Sequence, residues 1–296
     1  MVDRENQHSI VTGGSSGIGK AIALQLAREG ADVSILARGE ARLQQAKEEI
    51  EQVRRSERQR VLALSVDVSD RVQVMETIGE AIAQLGPPAQ LITSAGIAHP
   101  GHFQDLSAEV FEQAMAVNYF GTLYCIQAVL PFMEKQPVEK QPVEKQQIER
   151  PQVKKQQTKK QQTGQICLLS SGAALIGLYG YSAYGASKFA VRGLAESLRA
   201  ELKPVGIQVS VAYPPDTETP QLAAESRTKP AATKEITATA KLWQADDVAQ
   251  AILQGMARGR FELSLGLEIG VLTRLHSVIS PVLNRYFDEI VARFPR

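Results

Sequence analysis

A doubly wound, all-parallel α/β sheet in three layers is predicted for this 296-residue chain by two features of its patterning. Short β-branched runs alternate strictly with helical patterns, and the runs are apolar throughout instead of at every second residue. Strands need such runs when helices cover both faces of a parallel sheet. Right-handed crossovers between successive strands then give the α/β/α arrangement.

The elements follow in order. HSIVT (8–12) is the first strand and a helix spans 18–29; DVSILA (32–37) is followed by a helix over about 41–55. VLALSVDV (61–68), a helix over 70–85 and QLITSAG (90–96) continue the alternation. A helix over 109–134, QICLLS (165–170), a helix over 184–203 and IQVSVAY (207–213) complete the main body. RFELSL (260–265) is expected as a seventh strand. Residues 1–265 are therefore predicted to form one Rossmann-type domain, followed by an amphipathic helical segment over 266–296.

That segment carries apolar residues at 271, 275, 278, 282 and 286, with 272, 279 and 283 beside them, a helical spacing. Arg274, His276, Asn284 and Arg285 fall off the stripe, and Pro281 is expected to kink the helix. Two uses fit: cover for the protein's own core or a subunit contact, or an interfacial helix beside which a lipid enters.

One stretch breaks the rhythm. Residues 137–163 are a degenerate five-residue repeat of Gln, Lys, Glu, Pro and Val, with seven basic side chains against three acidic ones. Such a composition cannot bury a core, so the segment is expected to be a low-complexity surface insertion.

Composition excludes several classes of function. A hydrophobic fraction of 44% suffices for a large core, and 33 basic against 32 acidic residues, net +1, argues against nucleic-acid binding. Two cysteines, Cys125 and Cys167, each inside an apolar run, exclude a disulfide scaffold and a Cys-rich metal site. His8, His99, His102 and His276 lack metal-ligand spacing, and His99 and His102 are expected near the substrate mouth. No secretory h-region and no run of about twenty apolar residues is found, so a cytoplasmic location without a spanning helix is expected.

The chemistry begins at Thr12-Gly13-Gly14-Ser15-Ser16-Gly17-Ile18-Gly19, between the first strand and the first helix. Gly13 permits a tight turn, Gly17 lets the backbone approach a pyrophosphate at the helix N-terminus, and Gly19 allows close packing. About twenty residues on, where an acid would accept from a ribose 2′-hydroxyl, stands Arg38. A cation there suits a 2′-phosphate, so NADP(H) is the expected cofactor. A second cluster comprises Ser171, Tyr184 and Lys188. Tyr184 and Lys188, four apart, share one helix face, where an ammonium would pull the phenol pKa down and prepare a proton donor for a carbonyl receiving hydride. Ser171 could hydrogen-bond the same carbonyl oxygen, Asn118 could hold a relay water, and Tyr181 is read as a pocket or packing residue.

In order and spacing these motifs resemble the short-chain dehydrogenase/reductases, over about residues 7–260 apart from the insertion. The resemblance implies that Asp67, followed by Val68, bonds the adenine amino group, that Ser94-Ala95-Gly96 supports the cofactor, and that Lys188 holds the nicotinamide ribose. Two departures stand out: Ser94 where the family usually has asparagine, and Pro214-Pro215 where it usually has Pro-Gly. YPPDTETP (213–220), the following Glu225 to Pro230, GYSAYGASKFAVRGLAESLRAELKP (180–204) and SLG (264–266) look similar to one subgroup, the 3-ketodihydrosphingosine reductases. That likeness implies NADPH-dependent reduction of a long-chain 3-keto lipid, with Thr217 and Thr219 at the nicotinamide carboxamide. Other ketones (a 3-oxoacyl thioester, a steroid, a small carbonyl) and a non-catalytic NADP(H)-binding scaffold are the alternatives. A homo-oligomer, dimer or tetramer, and peripheral membrane contact through the C-terminal segment are further expectations.

Overall fold

The computed structural model describes residues 3–134, 164–238 and 240–294; the insertion predicted at 137–163 lies outside them. Seven strands, β1 (His8–Thr12), β2 (Asp32–Ala37), β3 (Val61–Ser65), β4 (Pro88–Thr93), β5 (Gly164–Leu169), β6 (Ile207–Tyr213) and β7 (Glu262–Ser264), form one sheet in the order β3-β2-β1-β4-β5-β6-β7. Every neighbouring pair is parallel. The order reverses beside β1, between β1 and β4, so a crevice opens beyond the carboxyl ends of these two strands.

Successive strand residues point to opposite faces, and both faces are apolar. Ile10, Leu91, Ile166 and Val209 pack with Val74 and Ile78 of α3 (Arg71–Leu85) and Val191 and Ala195 of α5 (Ser182–Leu202). Val11, Ile92 and Cys167 pack on the other face with Ile22 and Leu26 of α1 (Gly17–Arg28), Leu43 and Ile50 of α2 (Glu40–Gln52), and Ile252 and Met256 of α8 (Ala245–Ala257). The strands end earlier than predicted: β3 stops at Ser65 and β4 at Thr93, which releases Asp67-Val68 and Ser94-Ala95-Gly96 into loops at the crevice.

The helix predicted over 109–134 is α4 (Ala108–Met133), widened into a π turn at Met115–Phe120. By length and composition it is apolar enough to cross a membrane, contrary to the expectation that no such segment exists. Here that apolarity serves the core, because Cys125, Ile126, Val129 and Met133 pack against the sheet. Burial pushes the thiols of Cys125 and Cys167 up to about 12, so neither is a reactive thiolate.

After β6, α6 (Pro220–Thr228) and α7 (Ala231–Thr237) lead toward α8, and α9 (Leu267–Val291) follows β7, unbroken through Pro281. The structure divides the predicted stripe of α9. Ile269 and Leu272 pack on the main core cluster, while Val271, Leu275, Val278 and Val282 point outward, the last two more than 70% exposed. Apolar side chains occupy both faces of this helix, so their periodicity alone does not decide which face is covered.

Candidate active site

A single cavity of about 1250 Å³ runs from the glycine-rich turn past Tyr184 to the underside of α9. At one end the turn folds as its sequence requires. Gly13 has φ 67°, and a Cβ there would lie 2.8 Å from the backbone nitrogen of Ala95. At Gly19 a Cβ would lie 2.4 Å from the Gly13 carbonyl oxygen, so this glycine serves closure of the turn itself rather than contact with the sheet. Ser15, Ser16, Gly17 and Ile18 line the cavity at the N-terminus of α1, where backbone N–H groups and the helix dipole favour an anion. Ser16 is the N-cap residue, yet its side chain makes no capping hydrogen bond.

Arg38 and Arg42 both stand exposed on the cavity rim, and neither is in an ion pair with a described residue. Asp67, Val68, Ser94, Ala95 and Gly96 line the same end. The Asp67 carboxylate accepts from the Ser69 backbone N–H (3.0 Å) and hydroxyl (2.7 Å), and Thr12 accepts from the Ala95 N–H at 3.1 Å. A backbone cradle too tight for side chains, a helix N-terminus facing the cavity and two guanidiniums without an ion pair among the described residues fit a phosphate-bearing dinucleotide. Pro214, Thr217 and Thr219 line the cavity farther along. The two hydroxyls are already engaged: Thr217 donates to the Pro215 carbonyl at 2.8 Å, and Thr219 accepts from Leu222 N–H at 3.2 Å as the N-cap of α6.

In the middle of the cavity stand Ser171, Tyr184 and Lys188. Ser171, just beyond β5, lines the cavity together with Tyr184 and accepts from the Ala173 N–H at 3.2 Å. The Lys188 ammonium donates to the Leu169 carbonyl at 2.9 Å and lies 5.6 Å from the centroid of the Tyr184 ring. Burial lowers the Lys188 pKa to about 8. Burial also raises the Tyr184 pKa, against a lowering by the Ser171 hydrogen bond. The expected downward pull of Lys188 is not among the influences on Tyr184; desolvation, which penalises the phenolate, is the largest of them. Tyr184 stays protonated at neutral pH, as a proton donor must.

Asn118 lies in the π turn of α4 and is buried behind the cavity wall. Its Oδ1 accepts from the Ile97 N–H at 2.8 Å, and its Nδ2 donates to the Ile97 carbonyl at 3.0 Å and to the Ser187 hydroxyl at 2.8 Å. Both amide hydrogens are therefore spent on tying the loop after β4 to α5. His99 and His102 do not themselves line the cavity; His99 follows Ala98, which does, and His102 hydrogen-bonds the Tyr179 hydroxyl at 3.1 Å.

Of the far wall, the sequence offered the stripe residues Leu272, Leu283 and Tyr286 but not Phe287, Trp243 or Glu225. Leu272, Leu283, Tyr286 and Phe287 of α9 and Trp243 give that end an apolar lining, while Glu225 of α6 contributes a buried acid. Glu225 precedes Lys229 by four residues, the spacing of an ordinary surface ion pair, so nothing in the local sequence marks it as buried.

Comparison with known proteins agrees with this geometry. The family described as short chain dehydrogenase matches residues 7–139 and 152–230. The chain is 40% identical over 276 residues to the 3-ketodihydrosphingosine reductase of Bos taurus, covering 93% of this chain and 76% of that one. It is 41% identical, with the same coverage, to the 3-dehydrosphinganine reductase of Danio rerio. Among solved structures, a dehydrogenase/reductase from Sinorhizobium meliloti 1021 superposes with a TM-score of 0.67 at 29% identity, covering 86% of this chain and 88% of that one. Levodione reductase superposes with a TM-score of 0.70, covering 84% and 90%, and at 22% identity it speaks to the fold alone. This chain therefore belongs to the short chain dehydrogenase family and is an oxidoreductase that uses a nicotinamide cofactor.

Proposed function

We propose that this enzyme reduces a long-chain 3-keto lipid, 3-ketosphinganine in the first instance, to the corresponding alcohol at the expense of NADPH. The observation that carries this reading is the continuity of one cavity from the glycine turn, past Ser171 and Tyr184, to the apolar wall of α9. The relatives named for the same reaction support it. Gly13, Ser15, Ser16, Gly17, Ile18 and Gly19 would hold the dinucleotide phosphates, Arg38 a 2′-phosphate, Asp67 and Val68 the adenine, and Pro214, Thr217 and Thr219 the carboxamide end. A reduced nicotinamide bound there supplies the hydride. Ser171 and Tyr184 hold the substrate carbonyl oxygen by hydrogen bonds, and Tyr184 donates its proton as that oxygen gains negative charge. The Lys188 ammonium then stabilises the phenolate left behind. Asn118 keeps the loop at Ile97 and the helix bearing Tyr184 in register, a positioning role.

Cytoplasmic placement, a dimeric or tetrameric assembly and peripheral membrane contact belong to the same proposal. The outward Leu267, Val271, Val278 and Val282 side chains supply the apolar surface for that contact. A turnover screen with NADPH against 3-ketosphinganine, a 3-oxoacyl thioester and a steroid ketone tests the substrate assignment. Sphinganine formed stoichiometrically with NADPH oxidation supports it; turnover confined to another ketone class overturns it.

A further inference from the structure

Glu225 is an acid placed where a water-soluble protein rarely leaves one. It is 8% exposed, lines the cavity, and accepts from the Tyr181 hydroxyl at 2.6 Å and from the Gln221 side-chain amide at 2.9 Å. Two neutral donors satisfy about half of the roughly four acceptor positions of a carboxylate and none of its charge. Among the described residues no cation lies within ion-pair distance of it. Lys229, four residues on, instead lies over the Tyr181 ring at 5.7 Å from its centroid. A buried acid left without a counter-charge is costly unless a ligand completes it.

Its position relative to the reacting groups says which ligand. The Tyr181 ring centroid is 5.7 Å from that of Tyr184, and the negative charge of Glu225 acts on both Tyr184 and Lys188. Charge of this sign beside the proton donor opposes loss of the Tyr184 proton, so it does not serve the acid step itself. Asp216 is the other acid near Tyr184, and its effect there is the smaller.

We infer that Glu225, held in place by Tyr181 and Gln221, is a subsite for a primary ammonium group carried on the carbon next to the reacting ketone. This rests on the 2-amino-3-ketone reading of the substrate and deepens it: the carboxylate discriminates amino ketones from plain ketones, and Tyr181 is its positioning residue. Binding the ammonium supplies a cation in direct contact with the carboxylate, which Lys188, Lys229 and Lys241 of the same cavity are not placed to give among the described ion pairs, as a charge-assisted hydrogen bond in a desolvated setting.

The test compares kcat/KM for 3-ketosphinganine with that for 1-hydroxyoctadecan-3-one, which lacks only the amine, in the full-length enzyme and in Glu225→Gln. Glutamine keeps the shape and can still accept from Tyr181. The expected result is that the preference for the amino ketone falls at least tenfold in Glu225→Gln, mainly through KM, and that Glu225→Asp recovers part of it. A merely structural role would lower both substrates alike and leave the ratio where it was, which overturns the subsite. So does a loss of preference in Asp216→Asn greater than that in Glu225→Gln. Should the wild type reduce neither substrate, the proposed reaction fails, and calorimetric titration with octylamine and octan-1-ol still decides the subsite. The wild type is expected to bind the amine at least tenfold more tightly and Glu225→Gln to bind the two alike; equal binding by the wild type refutes the inference.

Discussion

Asn118 donates to the Ser187 hydroxyl at 2.8 Å, joining the π turn of α4 to the helix that carries Tyr184 and Lys188. The same amide takes both backbone polar groups of Ile97, so one buried side chain joins three segments around the site. Replacing it with alanine takes this partner from the part-buried backbone N–H and carbonyl of Ile97 and from the buried Ser187 hydroxyl. Asn118→Ala is expected to cost about 1–3 kcal/mol of stability, measured by urea unfolding, and to lower turnover through misplacement of Tyr184. An unchanged unfolding midpoint would refute the tie.

Tyr184→Phe removes the donated proton and little volume. Turnover is expected to fall by roughly a hundredfold or more while cofactor affinity, measured by titration, stays within a fewfold of wild type. Ketone reduction at near wild-type rate in this variant would remove Tyr184 from the chemistry.

Arg38 and Arg42 stand on the cavity rim without an ion-pair partner among the described residues. Arg38→Asp replaces a charge-assisted bond to a 2′-phosphate, worth about 1.5–3 kcal/mol, with repulsion, and should turn the NADPH preference toward NADH. The ratio of kcat/KM values for the two cofactors measures this. An unchanged ratio would move the phosphate contact to Arg42 or Ser15.

Lys188 is held at a pKa of about 8 by burial, below the ordinary lysine value of 10.5. In the cofactor-free protein the ammonium is lost as pH rises through about 8, so cofactor affinity should decline above that pH, and Lys188→Met should flatten the profile. Stability moves the other way. Between about pH 8 and 10.5 the unfolded chain binds the proton that the folded chain has released, so unfolding free energy from this group rises with pH.

The sheet and the cofactor end were legible because their signals are local. Thr12 to Gly19 lie within one βα turn, and Tyr184 and Lys188 within one helical turn, so spacing alone places them together. Strand burial is likewise written in the composition of each run. What could not be read depends on distant packing. Tyr181 and Glu225 meet across 44 residues. The π turn that carries Asn118 has no sequence marker distinct from an ordinary α-helix. The outward face of α9 carries Leu267, Val271, Leu275, Val278 and Val282 among its charged residues, so which apolar residues cover the cavity becomes evident only once the helix is docked.

The central claim is that an acyl chain occupies the apolar end of the cavity beneath α9 while Tyr184 protonates its ketone. Catalytic efficiency on a series of 2-amino-3-ketones of increasing chain length tests it most directly. Each methylene moved from water is worth about 0.8 kcal/mol, so kcat/KM should climb roughly fourfold per added carbon until the cavity is filled, then level off. Truncation after Gly270 should flatten the climb where the shortened chain still folds. A flat dependence on length in the full chain would contradict the account and leave a reductase of small ketones.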